Sequence, residues 1–453
     1  MSGPKVVRIV TREEIIAICE GHLARLNAAA DEWLRVGRRN GMLTNEEISA
    51  TESRREALLS LLARGRYMDL QKAVPDEISF LQADQEARLV RAAAAKAEAR
   101  TVRRQTEAVA ASVLKALELR GAVVPADLSR ALEDAAAGRS DGAAAISRAF
   151  TLLSAEKDNA VTDNQRRLAD ALKETDDRQS FAQWMAAQTG VVEDDGSARL
   201  YFRIAELTAL LGEDATAEFE GRLRHISSLE PSSRRGLLMD SLEVDLGQAV
   251  ARAKERAALQ SRLRMLAAEL IQSGSETLVG IASVVEARIE DTSDVLARLE
   301  EEATSALGRF REEAAAQAKR QAVLKGLAQL GYQVSEGLET AWARDGKIVI
   351  KRASQTGYGV EIGGRVDSGR VQMRTVAFRG AGAPSEVDRD RDAETIFCGD
   401  VTKLQTLFAE SGGEIVIERA LAVGAAPLRV ATETSDDMNE LARERAPDKA
   451  RQL

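Results

Sequence analysis

One stretch of the chain, Glu77–Arg120, contains neither glycine nor proline. Its 44 residues would form a helix about 65 Å long at 1.5 Å per residue. Helices in compact domains usually run for three or four turns, so this length predicts an extended element. Its apolar residues recur at steps of seven, four and four, at Val102, Val109, Val113 and Leu117. This pattern predicts one arm of a coiled-coil stalk.

The composition agrees with long helices. Aromatic residues make up only 4% of the 453 residues, and the whole chain contains seven prolines. Few aromatics and few prolines favour a mostly α protein over a sandwich or barrel.

A second long-helix pattern covers residues 246–330. Two interleaved heptad series run from Val285 to Phe310, which predicts a coiled-coil seam. The seam residues are Val285, Ile289, Leu296, Leu299 and Phe310.

The two arms carry opposite charge. Arg88–Arg104 holds six basic residues and one acid, whereas Glu286–Glu302 holds seven acids and two arginines. We therefore expect the arms to fold back antiparallel with these two stretches facing each other, because flanking charges set register. Self-association through the same surfaces is the competing geometry.

The remaining segments have other patterns. Thr11 and Thr44 are predicted helix caps, because each is followed by a glutamate three residues later. Two successive helices are therefore predicted near the N-terminus, and we expect them to form a helical hairpin. Glycines and clustered aromatics predict a small all-α domain at the stalk tip. After Gly331 the pattern alternates with period two around a central helix, which predicts an α+β domain.

These patterns divide the chain into six parts. They are an N-terminal helical hairpin (1–75), a first coiled-coil arm (76–120), a helical tip domain (121–245), a second coiled-coil arm (246–330), an α+β domain (331–432) and a charged, mobile tail (433–453).

Bulk charge and cysteine usage narrow the function classes. A formal charge of −9 argues against a protein that coats nucleic acid or an anionic membrane with its whole surface. The two cysteines, Cys19 and Cys398, lie far from each other in sequence, so we expect no disulfide framework. The two histidines, His22 and His225, are also far from each other, so we expect no histidine-ligated metal site. No window of the sequence is apolar enough for a transmembrane helix or secretory leader, and we expect a cytoplasmic protein.

No motif predicts catalysis or a cofactor. The chain has no phosphate-binding loop, and the glycines of Gly357–Gly363 lie in a strand pattern. The alternating Asp388, Asp390 and Asp392 lack the glycine and glutamate of an EF-hand, and we interpret them as helix-capping residues. Cys398 has no histidine in its domain to activate it and is interpreted as a small core residue.

The sequence therefore predicts a non-enzymatic coiled-coil scaffold or adaptor. It would space two protein-binding modules within a bacterial-type cytoplasmic assembly, with other protein subunits as partners and homo-oligomerisation expected. The alternative is a nucleic-acid-associated accessory subunit of a genome-maintenance or anti-phage defence complex whose ATPase or nuclease is on another chain. Its candidate contacts with nucleic acid or an acidic partner are Arg88, Arg91, Lys96, Arg100, Arg103 and Arg104. An enzyme with its site in the α+β domain is a third hypothesis, and it requires Asp345, Glu361 and Glu394 to converge in a pocket.

Overall fold

The computed structural model describes residues 4–119, 121, 123–155, 195–230, 232–364, 369–379 and 386–431. Over these residues the chain is mostly helical, with a small, largely antiparallel sheet in its C-terminal region. The predicted mostly α class and C-terminal strands are confirmed at this level. The predicted tail (433–453) and residues 156–194 of the predicted tip domain lie outside the described residues.

The N-terminal half is one short strand followed by helices. These elements are β1 (Lys5–Val10), α1 (Arg12–Arg39), α2 (Asn45–Ala63), α3 (Tyr67–Leu119), α4 (Ala126–Ala136) and α5 (Ala143–Ala155). The helices that follow are α6 (Asp195–Leu211), α7 (Ala217–Ser227), α8 (Ser233–Gln272), α9 (Glu276–Ala287) and α10 (Ser293–Gln329). The last elements are α11 (Leu338–Asp345), β2 (Lys347–Lys351), β3 (Tyr358–Gly363), β4 (Arg370–Phe378), α12 (Val387–Glu410), β5 (Glu414–Ala420) and β6 (Arg429–Ala431).

The first two helices begin where the sequence predicts. The Thr11 side chain accepts a hydrogen bond from the Glu14 backbone N–H, which caps α1. At α2 the Thr44 side chain and the Glu47 side chain each bond the other's backbone N–H, forming a complete capping box. These caps satisfy backbone donors that the first helical turn leaves unpaired.

The long helix α3 starts earlier than its sequence pattern indicates. It begins at Tyr67 and runs through Pro75, although proline removes one helical hydrogen bond. Leu70, Val74 and Leu81 are fully buried in a core shared with α1, and this packing holds the helix together on both sides of the proline.

The predicted second arm is not one continuous rod. Helix α8 ends at Gln272, Gly274 adopts a left-handed backbone conformation (φ 68°), and α9 and α10 then fold back. The three helices share one hydrophobic core, with Leu263, Leu270 and Leu296 among its fully buried residues. The heptad positions lie in this core, and the chain reverses at Gly274, one of the glycines that in the sequence argue against a single unbroken rod.

The expected antiparallel pairing of the two arms is also replaced by a different arrangement. Helices α1 and α6 each pack against both α3 and α8. The predicted arms are thus bridged by two other helices.

The sheet takes one of its interior strands from the opposite end of the chain. Its strand order is β2-β3-β4-β1-β5, and β1 pairs antiparallel with both β4 and β5. Strand β6 extends the sheet by a parallel pairing with β4. One sheet face is covered by α12 and the C-terminal part of α10, with Val7, Ile362 and Phe397 in the common core. No strand was predicted at Lys5–Val10, because its sequence has no neighbouring strand pattern with which it could pair.

Candidate interaction site and buried ion pairs

The first of the six predicted contact residues, Arg88, lies inside the protein. Its guanidinium donates to Asp84 Oδ2 and Glu47 Oε1, both at 2.6 Å, and to the Met42 carbonyl at 2.5 Å. The Trp33 ring lies beneath it at 5.5 Å, and the indole N–H donates to Asp84 at 2.7 Å. We call Arg88, Asp84, Glu47 and Trp33 the Arg88 cluster, and it joins α1, α2 and α3.

The protonation equilibria of the Arg88 cluster follow these contacts. Hydrogen bonds from Arg88 and from the Thr44 backbone lower the pKa of Glu47 to about 2. Burial alone would raise the pKa of Asp84, but the hydrogen bonds from Arg88 and Trp33 outweigh it and the pKa is lowered. The cluster is therefore charged and paired at neutral pH.

Three other predicted contact residues join α3 to neighbouring segments. Arg100 pairs with Glu220 in α7, and Arg104 lies 5.2 Å from the Tyr201 ring in α6. Arg103 pairs with Glu107 at 3.2 Å and donates to the Gly138 carbonyl after α4. These side chains act as links within the protein.

The remaining two, Arg91 and Lys96, are less engaged. Arg91 is largely exposed and lies 3.9 Å from Asp84, beyond hydrogen-bonding distance. Lys96 is half-buried. The six basic residues thus do not form one shared, exposed strip.

The acidic stretch pairs with arginines of its own neighbourhood. Glu300 accepts two hydrogen bonds from Arg262 in α8, and Glu290 pairs with Arg256 at 3.0 Å. Asp291 pairs with Arg288 at 2.9 Å. Among the described residues no ion pair joins Arg88–Arg104 to Glu286–Glu302, so the expected charge pairing is wrong.

All five predicted seam residues belong to the core of α8, α9 and α10. Val285, Leu296 and Leu299 are buried in it, and Ile289 and Phe310 pack against it half-buried.

A second charged cluster joins α1, α8 and α10. Glu269 is 2% exposed and pairs with Arg25 and Arg311. A side chain at Gly21 would collide with the Glu269 carboxylate, so glycine permits this approach. The pKa of nearby His22 is lowered by burial and then by the charges of Arg25 and Arg311. The cluster borders a surface hollow of about 540 Å³, whose walls include Ile18 and Phe310.

The α+β domain contains its own buried polar pairs. Asp400, 2% exposed, accepts hydrogen bonds from the Tyr332 hydroxyl at 2.9 Å and from Arg352 at 2.7 Å. Burial raises the pKa of Tyr332, and the Asp400 charge raises it further. Asp390 likewise accepts from Tyr358 and Arg379. Both aspartates thus have structural partners that fix α12 on the sheet.

The three carboxylates that an enzyme hypothesis would need have separate partners. Asp345 pairs with Arg344 at 2.8 Å, and Glu394 accepts from the Gly424 backbone N–H at 2.6 Å. Glu361 pairs with Arg374 and Arg429. Of the predicted capping aspartates, Asp388 and Asp390 lie in the first turn of α12, whereas the cap position itself is Glu386.

Within the described ranges, no group of three His, Cys, Asp or Glu side chains could hold a metal ion. None of the helices described there is both long and apolar enough to cross a membrane. The chain matches no family model, no curated protein and no solved structure.

Sequence reasoning found the basic residues but not their partners. The four parts of the Arg88 cluster are separated by up to 55 residues, as Trp33 and Arg88 show, and periodicity does not report such pairs. One signal was present in the sequence. Arg88 lies seven residues after Leu81 and therefore on the same face of α3, and this face is buried.

Proposed function

We propose that the chain is a non-enzymatic scaffold or adaptor subunit of a bacterial-type cytoplasmic assembly. It would hold two protein-binding modules at a fixed separation, one at the far end of α3 and one at the α+β domain. The support is a single feature of the packing: three long helices each take part in two separate hydrophobic cores.

Helix α3 gives the clearest example. Leu70 and Val74 lie in the core shared with α1, and Val113 and Leu117 lie in the core shared with α4 and α5. The span from Leu70 to Leu117 corresponds to about 70 Å of helix. Sharp bends in helices need a specific cause such as proline, and Pro75 lies in the part of α3 that belongs to the first core. Between Leu81 and Leu117 the helix contains neither proline nor glycine, so this part keeps the two cores apart.

Helices α8 and α10 repeat this arrangement. Helix α8 contributes Leu246 to the core with α6 and α7, and Leu263 to the core with α9 and α10. Helix α10 contributes Leu299 to that second core and Val323 to the sheet core. The α+β domain is therefore joined to the helical body through an unbroken helix, which suits a spacer.

The charged groups also favour a structural role over catalysis. Glu269, Asp400 and Glu361 each pair with two cations or with a cation and a hydroxyl. Buried carboxylates with satisfied partners stabilise one arrangement of helices and sheet.

The first test is affinity capture of the intact protein from its own cells, with nuclease treatment and chemical cross-linking. A scaffold should retain protein partners after nuclease, with cross-links to both α4–α5 and the α+β domain. Loss of all partners with nuclease would instead support the nucleic-acid-associated accessory subunit. That alternative has less support, because Arg88, Arg100 and Arg104 have internal partners.

The second test concerns the rigid connection. Glu313 is exposed in α10 between its two cores, and proline in a helix interior costs about 3 kcal/mol. Glu313→Pro should broaden the distance distribution between spin labels on α9 and α12, and Glu313→Ala should leave it narrow. An equally broad distribution in the unmodified chain would contradict a fixed spacing.

A further inference from the structure

Lys5 is a lysine on the core face of the sheet. Residues alternate along β1, so Lys5 shares its face with Val7 and Ile9, both in the sheet core. The Lys5 residue is 3% exposed, and its ammonium lies 5.6 Å from the centre of the Phe397 ring. Lysine is rarely buried to this extent without a partner.

The polar partner of Lys5 is a thiol. Its Nζ lies 2.9 Å from Cys398 Sγ in α12. Within the described part of the chain, no carboxylate lies within ion-pair distance of Lys5. The buried Lys5 amine is therefore held next to the Cys398 sulfur.

Cys398 and Cys19 differ in access. Cys398 is half-buried, so part of the residue faces solvent. Cys19 is completely buried, and its sulfur contacts the Tyr67 carbonyl and the Gln71 amide. Susceptibility of thiols to oxidation follows exposure.

We propose that Cys398 is an oxidative modification site whose oxidised form is captured by Lys5 as a covalent sulfur–nitrogen cross-link. The co-reactant is a hydroperoxide such as hydrogen peroxide. This inference is independent of the scaffold function.

The reaction has two steps that balance. In the first, the peroxide O–O bond breaks, an S–O bond forms at Cys398 and one water leaves, so sulfur loses two electrons and peroxide gains them. In the second, the Lys5 amine, after releasing its ammonium proton to solvent, attacks Sγ. The S–N bond forms, the S–O bond breaks, and the hydroxyl leaves as a second water with a proton from nitrogen. Sulfenic acids condense with nitrogen in this way when an amine is adjacent.

The cross-link would join β1, an interior strand of the sheet, to the helix α12 that covers it. Lys5 and Cys398 are 393 residues apart in sequence, so the bond closes most of the chain into one loop. Closing a long loop restricts the unfolded ensemble, and oxidation should therefore raise the midpoint of thermal unfolding of the α+β domain.

The experiment treats the full chain with hydrogen peroxide and measures intact mass and tryptic peptides. The expected product is lighter than the reduced chain by two hydrogen atoms and joins Met1–Arg8 to Asp392–Lys403. A dithiol should reverse it, because thiolate attack at sulfur releases the amine. A joined product that retains one oxygen atom would overturn the direct sulfur–nitrogen bond.

Three variants test the assignment. Cys398→Ser should abolish the cross-link, and Lys5→Met should divert Cys398 to sulfinic and sulfonic acids without joining the peptides. Cys19→Ala is the matched control and should cross-link as the natural sequence does. Circular dichroism of each variant checks that it folds. The proposal would be overturned if the Cys398 thiol stayed reduced when the folded natural sequence is treated with peroxide.

Discussion

The helical body and the α+β domain build their cores in different ways. In the helical body, four separate cores lie along continuous helices, and each core draws on helices close to it in the fold. The α+β domain has one core, and it needs both ends of the chain: Val7 and Ile9 from β1, and Phe397 and Ile415 near the C-terminus.

The two kinds of core predict how far the destabilising effect of a substitution should extend. A substitution in one helical core should leave the distant cores intact, since only a helix connects them. A substitution in β1 should disturb the sheet on both sides of that strand, because β1 joins β4 to β5 and is the strand partner of β5 within the described residues.

The largest expected effect is that of Val7→Asp. Val7 is completely buried in the interior strand β1, and a carboxylate there would be desolvated without a partner. We expect a loss of more than about 4 kcal/mol in the unfolding free energy of the sheet. Hydrogen exchange should show faster exchange in β4 and β5 and unchanged exchange in α4.

The matched control is Arg8→Asp at the next, exposed position of the same strand. It introduces the same carboxylate without burial, and its effect should stay within about 0.5 kcal/mol. If Val7→Asp accelerates exchange in α4 as much as in β4, the two regions are one cooperative unit and the comparison fails.

The sequence was informative where a pattern is local. The caps at Thr11 and Thr44 and the strands around Ile348 and Val360 all follow from spacing within about a dozen residues. These features depend on helix capping and on side-chain alternation, which a single sequence records directly.

Long-range partners were the part that the sequence could not supply. Strand β1 has no strand near it in the sequence with which to form a hairpin, and it pairs with β4, more than 360 residues away. Gly274 argued against an unbroken second arm, but the sequence did not show that the helices after it fold back onto α8. Opposite net charge between two stretches indicated attraction but could not show that nearer arginines and carboxylates would pair first.

A smaller effect is expected from Arg88→Met in the helical body. The change leaves Asp84 and Glu47 without their shared cation while keeping the packing of the side-chain stem on Trp33. Asp84 is only partly exposed and loses a charge-assisted hydrogen bond, which costs about 2 kcal/mol. Hydrogen exchange should therefore accelerate in α2 and the first half of α3.

Arg91→Met is the control on the same helix, because Arg91 is mostly exposed and makes no close ion pair. Its effect should be at most about 0.5 kcal/mol. If the amides of the sheet exchanged faster in the Arg88→Met variant, the Arg88 cluster would also stabilise the α+β domain. That result would contradict the separation of the two regions.

The smallest expected effect is a pH dependence carried by Glu47. Its pKa is about 2 in the folded protein against an ordinary value of 4.5, because Arg88 and the Thr44 backbone N–H bond its charged form. A lowered folded-state pKa stabilises the fold above pH 4.5, and this contribution disappears as the pH falls through 2. The difference in chemical-denaturation stability between the natural sequence and Glu47→Gln should therefore shrink steadily over that window. In an Arg88→Met background the same comparison should lose most of its pH dependence, since the principal hydrogen-bond donor is gone. An undiminished pH dependence in that background would assign the effect to the helix cap instead of to the Arg88 cluster.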